Sequence, residues 1–147
     1  MKITIGSDHG AVDLKDEIKT VLADFADIEV TDLGTFGDTA VDYPDIAEKV
    51  CQTVVNGEAD RGILLCGTGI GISIAANKIK GIRAALCTDV YSAKMSREHN
   101  NANVLAMGGR VTGFGPASEI VKAWVTTEFA GGRHARRVDK ISALEKD

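Results

Sequence analysis

Residues 61–66, Arg-Gly-Ile-Leu-Leu-Cys, run without a break into Gly67-Thr-Gly-Ile-Gly71. A continuous apolar run of strand length belongs in the middle of a parallel sheet covered on both faces, since a strand with one wet face alternates apolar and polar residues. Three glycines in five residues then place a tight turn where a helix begins. Backbone N–H groups converge at such a turn, and the partial positive charge of the helix end favours an anion. The junction therefore predicts both an α/β architecture and the edge of the sheet where a ligand sits.

The flanking sequence follows the same alternation. Ile3 and Ile5 open a first strand that ends at Gly6-Ser-Asp-His-Gly10, and Ala11, Leu14, Ile18, Val21, Leu22 and Phe25 then recur at three and four residues, the stripe of an amphipathic helix. Ile28, Val30 and Leu33 make a second strand. Asp42-Tyr-Pro44 starts a second helix, with Pro44 suited to its first turn, whose buried face is Ile46, Ala47, Val50, Cys51 and Val54. After the glycine turn the pattern predicts a helix to about Lys78, a strand over 82–87, a helix over 90–98, a strand over 103–107 and a helix from Pro116. A last helix follows Gly131-Gly132 and carries Val138, Ile141 and Leu144. The expected fold is a single domain over 1–147, a Rossmann-like three-layer α/β/α sandwich on a five-stranded parallel sheet. The last helix has no sixth strand to cover, so it either folds back on its own domain or reaches across to a partner subunit.

Charge distribution narrows the ligand. Residues 1–60 hold 14 acidic and 4 basic side chains, residues 61–147 hold 13 basic and 7 acidic, and the whole chain is at −4. The basic residues are interspersed rather than blocked, and the sequence pI near 5.4 opposes nucleic-acid binding. A small anion is the more economical partner. The longest uncharged stretch, 62–77, is glycine-rich and too short for a membrane span. The first residues meet a charge too early for a signal peptide, so a cytoplasmic location is expected. Three cysteines with no CxxC pair suggest reduced thiols, neither a disulfide framework nor a zinc site.

Ligands in open α/β sheets bind at the carboxyl ends of strands. The sequence reading assigns to that edge Asp8 and His9 after strand one, Asp42 and Tyr43 after strand two, Cys66 and Thr68 after strand three, His99-Asn100-Asn101 beside strand five and Arg110 after it. The turn fits no standard phosphate motif. It lacks the lysine of a P-loop, its third glycine comes one residue early for a dinucleotide fingerprint, and Ile72 stands where a phosphatase loop needs arginine. Cys66, just before a helix N-terminus, is placed to work as a base or nucleophile; Cys51 lies on an apolar stripe and Cys87 is open between the two readings. Arg133 and Arg137, four apart, share a helical face and can grip a phosphate or form a solvated basic surface.

Together Gly6-Ser-Asp-His-Gly10, Asp42-Tyr-Pro44, Cys66-Gly-Thr-Gly-Ile-Gly-Ile-Ser-Ile-Ala-Ala-Asn-Lys78, Gly81-Ile-Arg-Ala84, Ser96-Arg-Glu-His-Asn-Asn101 and Gly131-Gly-Arg-His134 resemble the sugar-phosphate isomerase family of ribose-5-phosphate isomerase B and the galactose-6-phosphate isomerase subunits. The resemblance covers essentially the whole chain. It implies an aldose-ketose isomerase without metal or cofactor, interconverting ribose 5-phosphate and ribulose 5-phosphate through an enediolate. It also implies a homodimer, or a dimer of dimers, with a shared active site. By the same resemblance Cys66 is the base, Thr68 shuttles protons, and the amides from Gly67 through Gly69 and Ile70 to Gly71 hold the enediolate oxygens. His99 opens the sugar ring, and Asp8, His9, Asn100, Arg110, Arg133 and Arg137 contact substrate, the arginines at its phosphate. Some members use a glutamate base on the helix after the turn, but Ala75 and Ala76 leave that helix without one. The alternatives are a six-carbon sugar phosphate as substrate, or a non-catalytic sugar-phosphate-binding module that would leave Cys66 and His99 without a role.

Overall fold

The computed structural model describes residues 1–146. Five strands and six helices alternate: β1 (Lys2–Ser7), α1 (Val12–Leu22), β2 (Glu29–Asp32), α2 (Tyr43–Val55), β3 (Arg61–Cys66), α3 (Ile70–Asn77), β4 (Ala84–Leu86), α4 (Val90–Glu98), β5 (Val104–Gly108), α5 (Phe114–Thr126) and α6 (Arg133–Ser142). All strand pairs are parallel, in the order β2-β1-β3-β5-β4.

The central position of β3 explains its composition. Ile63 and Leu65 face the layer built by α1, α4 and α5, while Leu64 and Cys66 face that of α2 and α3. All six β3 residues are buried, so a polar residue on either face would need a partner inside the core. Gly62 in β3 is needed for spacing: a Cβ there would lie 2.8 Å from Val50 of α2. Helix α1 leaves β1 for one face and α3 leaves β3 for the other. The crevice between β1 and β3 is thus the switch point where α/β proteins bind ligands.

Strand β4 is shorter than its apolar run predicts, spanning 84–86 rather than 82–87. At its start the backbone N–H of Arg83 donates to the Asn103 side chain at 2.8 Å, and on its outer side the Asn77 carboxamide takes both the N–H and the C=O of Ala84. Side chains here satisfy backbone groups that a longer ladder would otherwise use. Helix α5 starts at Phe114, two residues before Pro116, consistent with proline's tolerance of a first helical turn.

One buried ion pair ties the loop after β2 to the domain. The fully buried ammonium of Lys15 donates to Asp32 at 2.8 Å and to the Thr35 carbonyl, and lies 4.4 Å from the centre of the Phe36 ring. Burial alone would raise the Asp32 pKa, but hydrogen bonds from Lys15, Lys19 and the Gly34 amide outweigh it and hold the carboxyl below its ordinary 3.8. Asp32→Asn leaves the Lys15 charge buried with a neutral partner and is expected to cost about 3 kcal/mol, or roughly 10 °C in thermal midpoint for a chain of this size. A carboxyl with a depressed pKa stabilises the fold above its unfolded value and loses that contribution as pH falls through the folded value. The gap between wild type and Asp32→Asn in thermal melts should therefore be full above about pH 5 and narrow below about pH 4.

Candidate active site

The ends of β1, β3 and β5 meet at the carboxyl edge of the sheet. The Gly109 amide donates to the Cys66 carbonyl at 2.8 Å and the Arg110 amide to the Gly67 carbonyl at 2.9 Å. This approach requires Gly108, where a Cβ would stand 2.4 Å from the Thr68 backbone. The buried Asp8 carboxylate accepts from the Gly10 amide at 2.9 Å. A Cβ on Gly10 would be 3.2 Å from Asp8 Oδ1, 3.5 Å from the Gly67 nitrogen and 3.6 Å from Arg110 Nη2. Asp8, Gly67 and Arg110 thus share one small volume. His9 is exposed beside them, its Nδ1 accepting from the Val41 amide at 3.3 Å.

The turn after β3 has the geometry its glycines predict. Gly69 is left-handed, with φ +80°, and has no room for a side chain, since a Cβ would lie 2.6 Å from Leu86 and 2.8 Å from the Met107 carbonyl carbon. Its amide donates to Cys66 Sγ at 3.1 Å, and that of Ile70 donates to Thr68 Oγ1 at 3.2 Å. The first intrahelical bond of α3 runs from Ser73 to Gly69, so the amides before it point out of the helix end. Those of Gly67, Thr68 and Gly71 have no protein acceptor among the described residues. Beside Cys66 Sγ, this edge offers donors at the place where an oxyanion would develop.

Cys51 and Cys87 are buried free thiols. Burial pushes the Cys51 thiol up to about 12 and the Cys87 thiol up to about 11, the latter despite a hydrogen bond with Ser96. Burial thus disfavours the thiolate at both positions.

His99 and Asn100 are elsewhere, contrary to the expectation that the polar set gathers at one sheet edge, and Arg133 and Arg137 stand with them. Helix α4 leaves the carboxyl end of β4 and carries the chain back across the sheet, so His99, at its C-cap, stands at the amino edge before β5 begins. The register from Gly62↔Val104 to Cys66↔Gly108 puts about 13 Å of strand between the two edges. Helix α6 joins this second group. The His134 ring stacks on His99 with centroids 4.2 Å apart and planes 9° apart. Desolvation, His99 and then Arg133 and Arg137 hold the His134 pKa below its ordinary 6.5. Only Val138 of α6 is buried; Ile141 is 42% and Leu144 75% exposed. The sequence-derived residues therefore fall into two groups, on opposite edges of the sheet.

Two hollows mirror this division. One of about 490 Å³ is lined by His9, Gly10, Phe36, Gly109 and Phe114 beside the cysteine turn. A larger one, about 730 Å³, lies between α6 and the start of β4, against Arg83, Asn100, Ile141 and Leu144. The larger hollow is not the one beside the Cys66 sulfur and the open amides.

A family model described as Ribose/Galactose Isomerase matches residues 3–141. The chain belongs to the ribose/galactose isomerase family. Ribose-5-phosphate isomerase B of Escherichia coli is 50% identical over 145 residues, covering 99% of this chain and 97% of that protein. D-erythrulose-4-phosphate isomerase of Pectobacterium atrosepticum is 46% identical over 147 residues, covering 99% and 95%. The solved structure of Clostridium thermocellum ribose-5-phosphate isomerase B superposes with a TM-score of 0.95 at 58% identity, covering 98% of this chain and 97% of that one. The chain is a sugar-phosphate isomerase of this family, on the five-stranded parallel α/β fold expected of it.

Two residues of this ribose/galactose isomerase carry no role in the sequence-derived set. Tyr43, the first residue of α2, lays its ring on Gly71, where a Cβ would meet Cζ at 2.6 Å. Its place in the loop after β2 assigns it to the ligand edge, but residue type alone gives it no role there. His134 was overshadowed by its neighbours, because the four-residue spacing of Arg133 and Arg137 drew attention to the arginines and says nothing of the imidazole between them.

Proposed function

We propose that this chain interconverts ribose 5-phosphate and ribulose 5-phosphate in a site that two copies build together. The observation that carries the shared site is the separation of the two half-sites: the Cys66 turn and the His99 group stand about 13 Å of strand apart on opposite edges. An exposed surface supports the pairing. Ile70, Ile74, Leu86, Val90 and Tyr91 are between 38% and 72% exposed near the outer strand β4, and α6 extends with most of its apolar stripe uncovered. A twofold axis would bring each α6 and its His99 to the partner's cysteine edge, since a C2 interface uses the same patch on both copies.

In the reaction, Cys66 as thiolate takes the proton from C2 of the open-chain aldose, and the amides of the glycine turn hold the resulting enediolate oxygens. The proton returns at C1, and Thr68 moves protons between the two oxygens. Asp8 and His9 contact the sugar hydroxyls. The partner's copy of His99 opens the ring, and Asn100 and the arginines at positions 110, 133 and 137 hold the hydroxyl and phosphate groups. Among the described residues no helix is long and apolar enough to cross a membrane, and the proposed location is the cytoplasm.

The length of the sugar admits a second reading, because a 46% identical relative is named for a four-carbon substrate and the family description includes galactose. A kcat/KM panel of four-, five- and six-carbon aldose phosphates separates the readings. Ribose 5-phosphate is expected to lead by about tenfold, the discrimination that one hydroxymethylene in a fitted pocket provides. A higher value for either other length would reassign the substrate, and binding without turnover of any would overturn catalysis.

A further inference from the structure

We propose that Arg83 is a positioning residue for sugar-ring opening, holding the turn that presents His99 and Asn100. The proposal rests on the reading of His99 given above. Asn101 is the one non-glycine residue with positive φ among the described residues, at 46°, and it follows His99 and Asn100 directly. A left-handed asparagine persists where its surroundings over-determine it. Here two arginines do so. Arg83 donates from Nε to the Asn100 carbonyl and from Nη2 to the Asn101 carbonyl, both at 3.0 Å, so the planar guanidinium fork fixes two successive peptide units. Buried Arg97 donates to the Asn101 side chain at 2.9 Å and to the Ala102 carbonyl at 2.6 Å, and its own carbonyl accepts from the Asn101 amide. Arg83 is itself fixed, because its backbone N–H donates to Asn103, whose side chain also donates to the Gly81 carbonyl.

The division of work among these groups is clear. The His134 ring fixes the plane of the His99 imidazole, and the Arg83 fork fixes the backbone from which Asn100 projects. Preorganisation of this kind matters most for a group serving a site on another subunit, where its own domain supplies all of its rigidity. Opening the furanose breaks the bond between C1 and the ring oxygen; that oxygen gains a proton as the C1 hydroxyl gives one up. Ribulose 5-phosphate skips the step, because the C5 oxygen its ketone would need for a five-membered ring carries the phosphate.

That difference is the test. In Arg83→Met, which keeps the aliphatic stem and loses both donors, kcat from saturating ribose 5-phosphate should fall about tenfold, since small misplacements of a catalytic group cost one to two orders of magnitude. From saturating ribulose 5-phosphate kcat should fall less than about twofold, because the open-chain product can leave and close in solution. Arg83→Lys, able to reach one carbonyl, should lie between, and it carries the comparison should the methionine variant not fold. Equal losses in both directions would reveal a merely structural role and overturn the proposal, as would no loss in either. His99→Ala, assayed alongside, separates the two layers of argument. If it is direction-biased and Arg83→Met is not, the positioning role alone falls; if it shows no bias, the ring-opening role falls and takes the proposal with it.

Discussion

Cys66→Ala is expected to fold with unchanged circular dichroism and to lose about three orders of magnitude in kcat on ribose 5-phosphate, the middle of the range that a positioned base contributes to proton transfer. Helix α3 offers no carboxylate to take over the proton. Helix α3 carries Ala75 and Ala76 where a carboxylate would otherwise be available, and it bears no acidic residue in its first turn. Cys66 is 4% exposed and packs among Leu64, Ile72 and Ala106, so removing one atom should cost roughly 1 kcal/mol in stability. Loss of turnover then reads chemistry rather than unfolding. Cys66→Ser keeps an acceptor for the Gly69 amide but replaces the thiol with a far weaker acid, and it should be nearly as inactive. Cys51→Ala and Cys87→Ala serve as controls and retain turnover. Activity of Cys66→Ala within tenfold of wild type would remove the cysteine from the mechanism.

Mixing two inactive variants is expected to restore activity. Cys66→Ala lacks the base at the carboxyl edge, and Arg137→Ala lacks an arginine of the amino-edge group. In a hybrid dimer one site combines both defects while the other combines an intact Cys66 with an intact Arg137 from the other copy. Random re-pairing makes about half of the dimers hybrids, each with one native site of two, so the mixture should recover about a quarter of wild-type activity. The geometry makes the result decisive. If Arg137 served the cysteine of its own chain, each variant would be defective in every site it forms and no mixture could recover. Re-pairing has to be shown separately, by native mass spectrometry of isotopically distinct protomers. Full exchange with no recovered turnover would sink the shared site while leaving the Cys66 assignment standing.

Several elements were legible from residue order alone. The β3 run is bounded at Arg61–Cys66 as its apolar stretch indicates, and α4 spans Val90–Glu98. In both cases burial pattern and flanking glycine or aspartate coincide, as with the Asp89 carboxylate that caps α4 by accepting from the Ser92 amide at 2.7 Å. The length of β4 was not legible, because the side chains of Asn77 and Asn103 that take over its backbone groups come from distant positions. The place of His99 is legible in the order of elements alone. In a β-α-β alternation a residue between a helix and the following strand stands at the amino edge, opposite the ligand edge.

Local periodicity and turn chemistry determined the α/β class, the glycine turn and the cysteine at its entrance, since each depends on residues within a few positions of one another. The tertiary structure alone decided which of these meet. Strand order brings the Arg110 guanidinium beside Gly67 and the Tyr43 ring onto Gly71, while the return path of α4 carries His99 away from Cys66 and against His134. Those juxtapositions follow from the crossovers and the sheet register, which join residues far apart in the chain, and they divide the candidate site between two edges of one molecule.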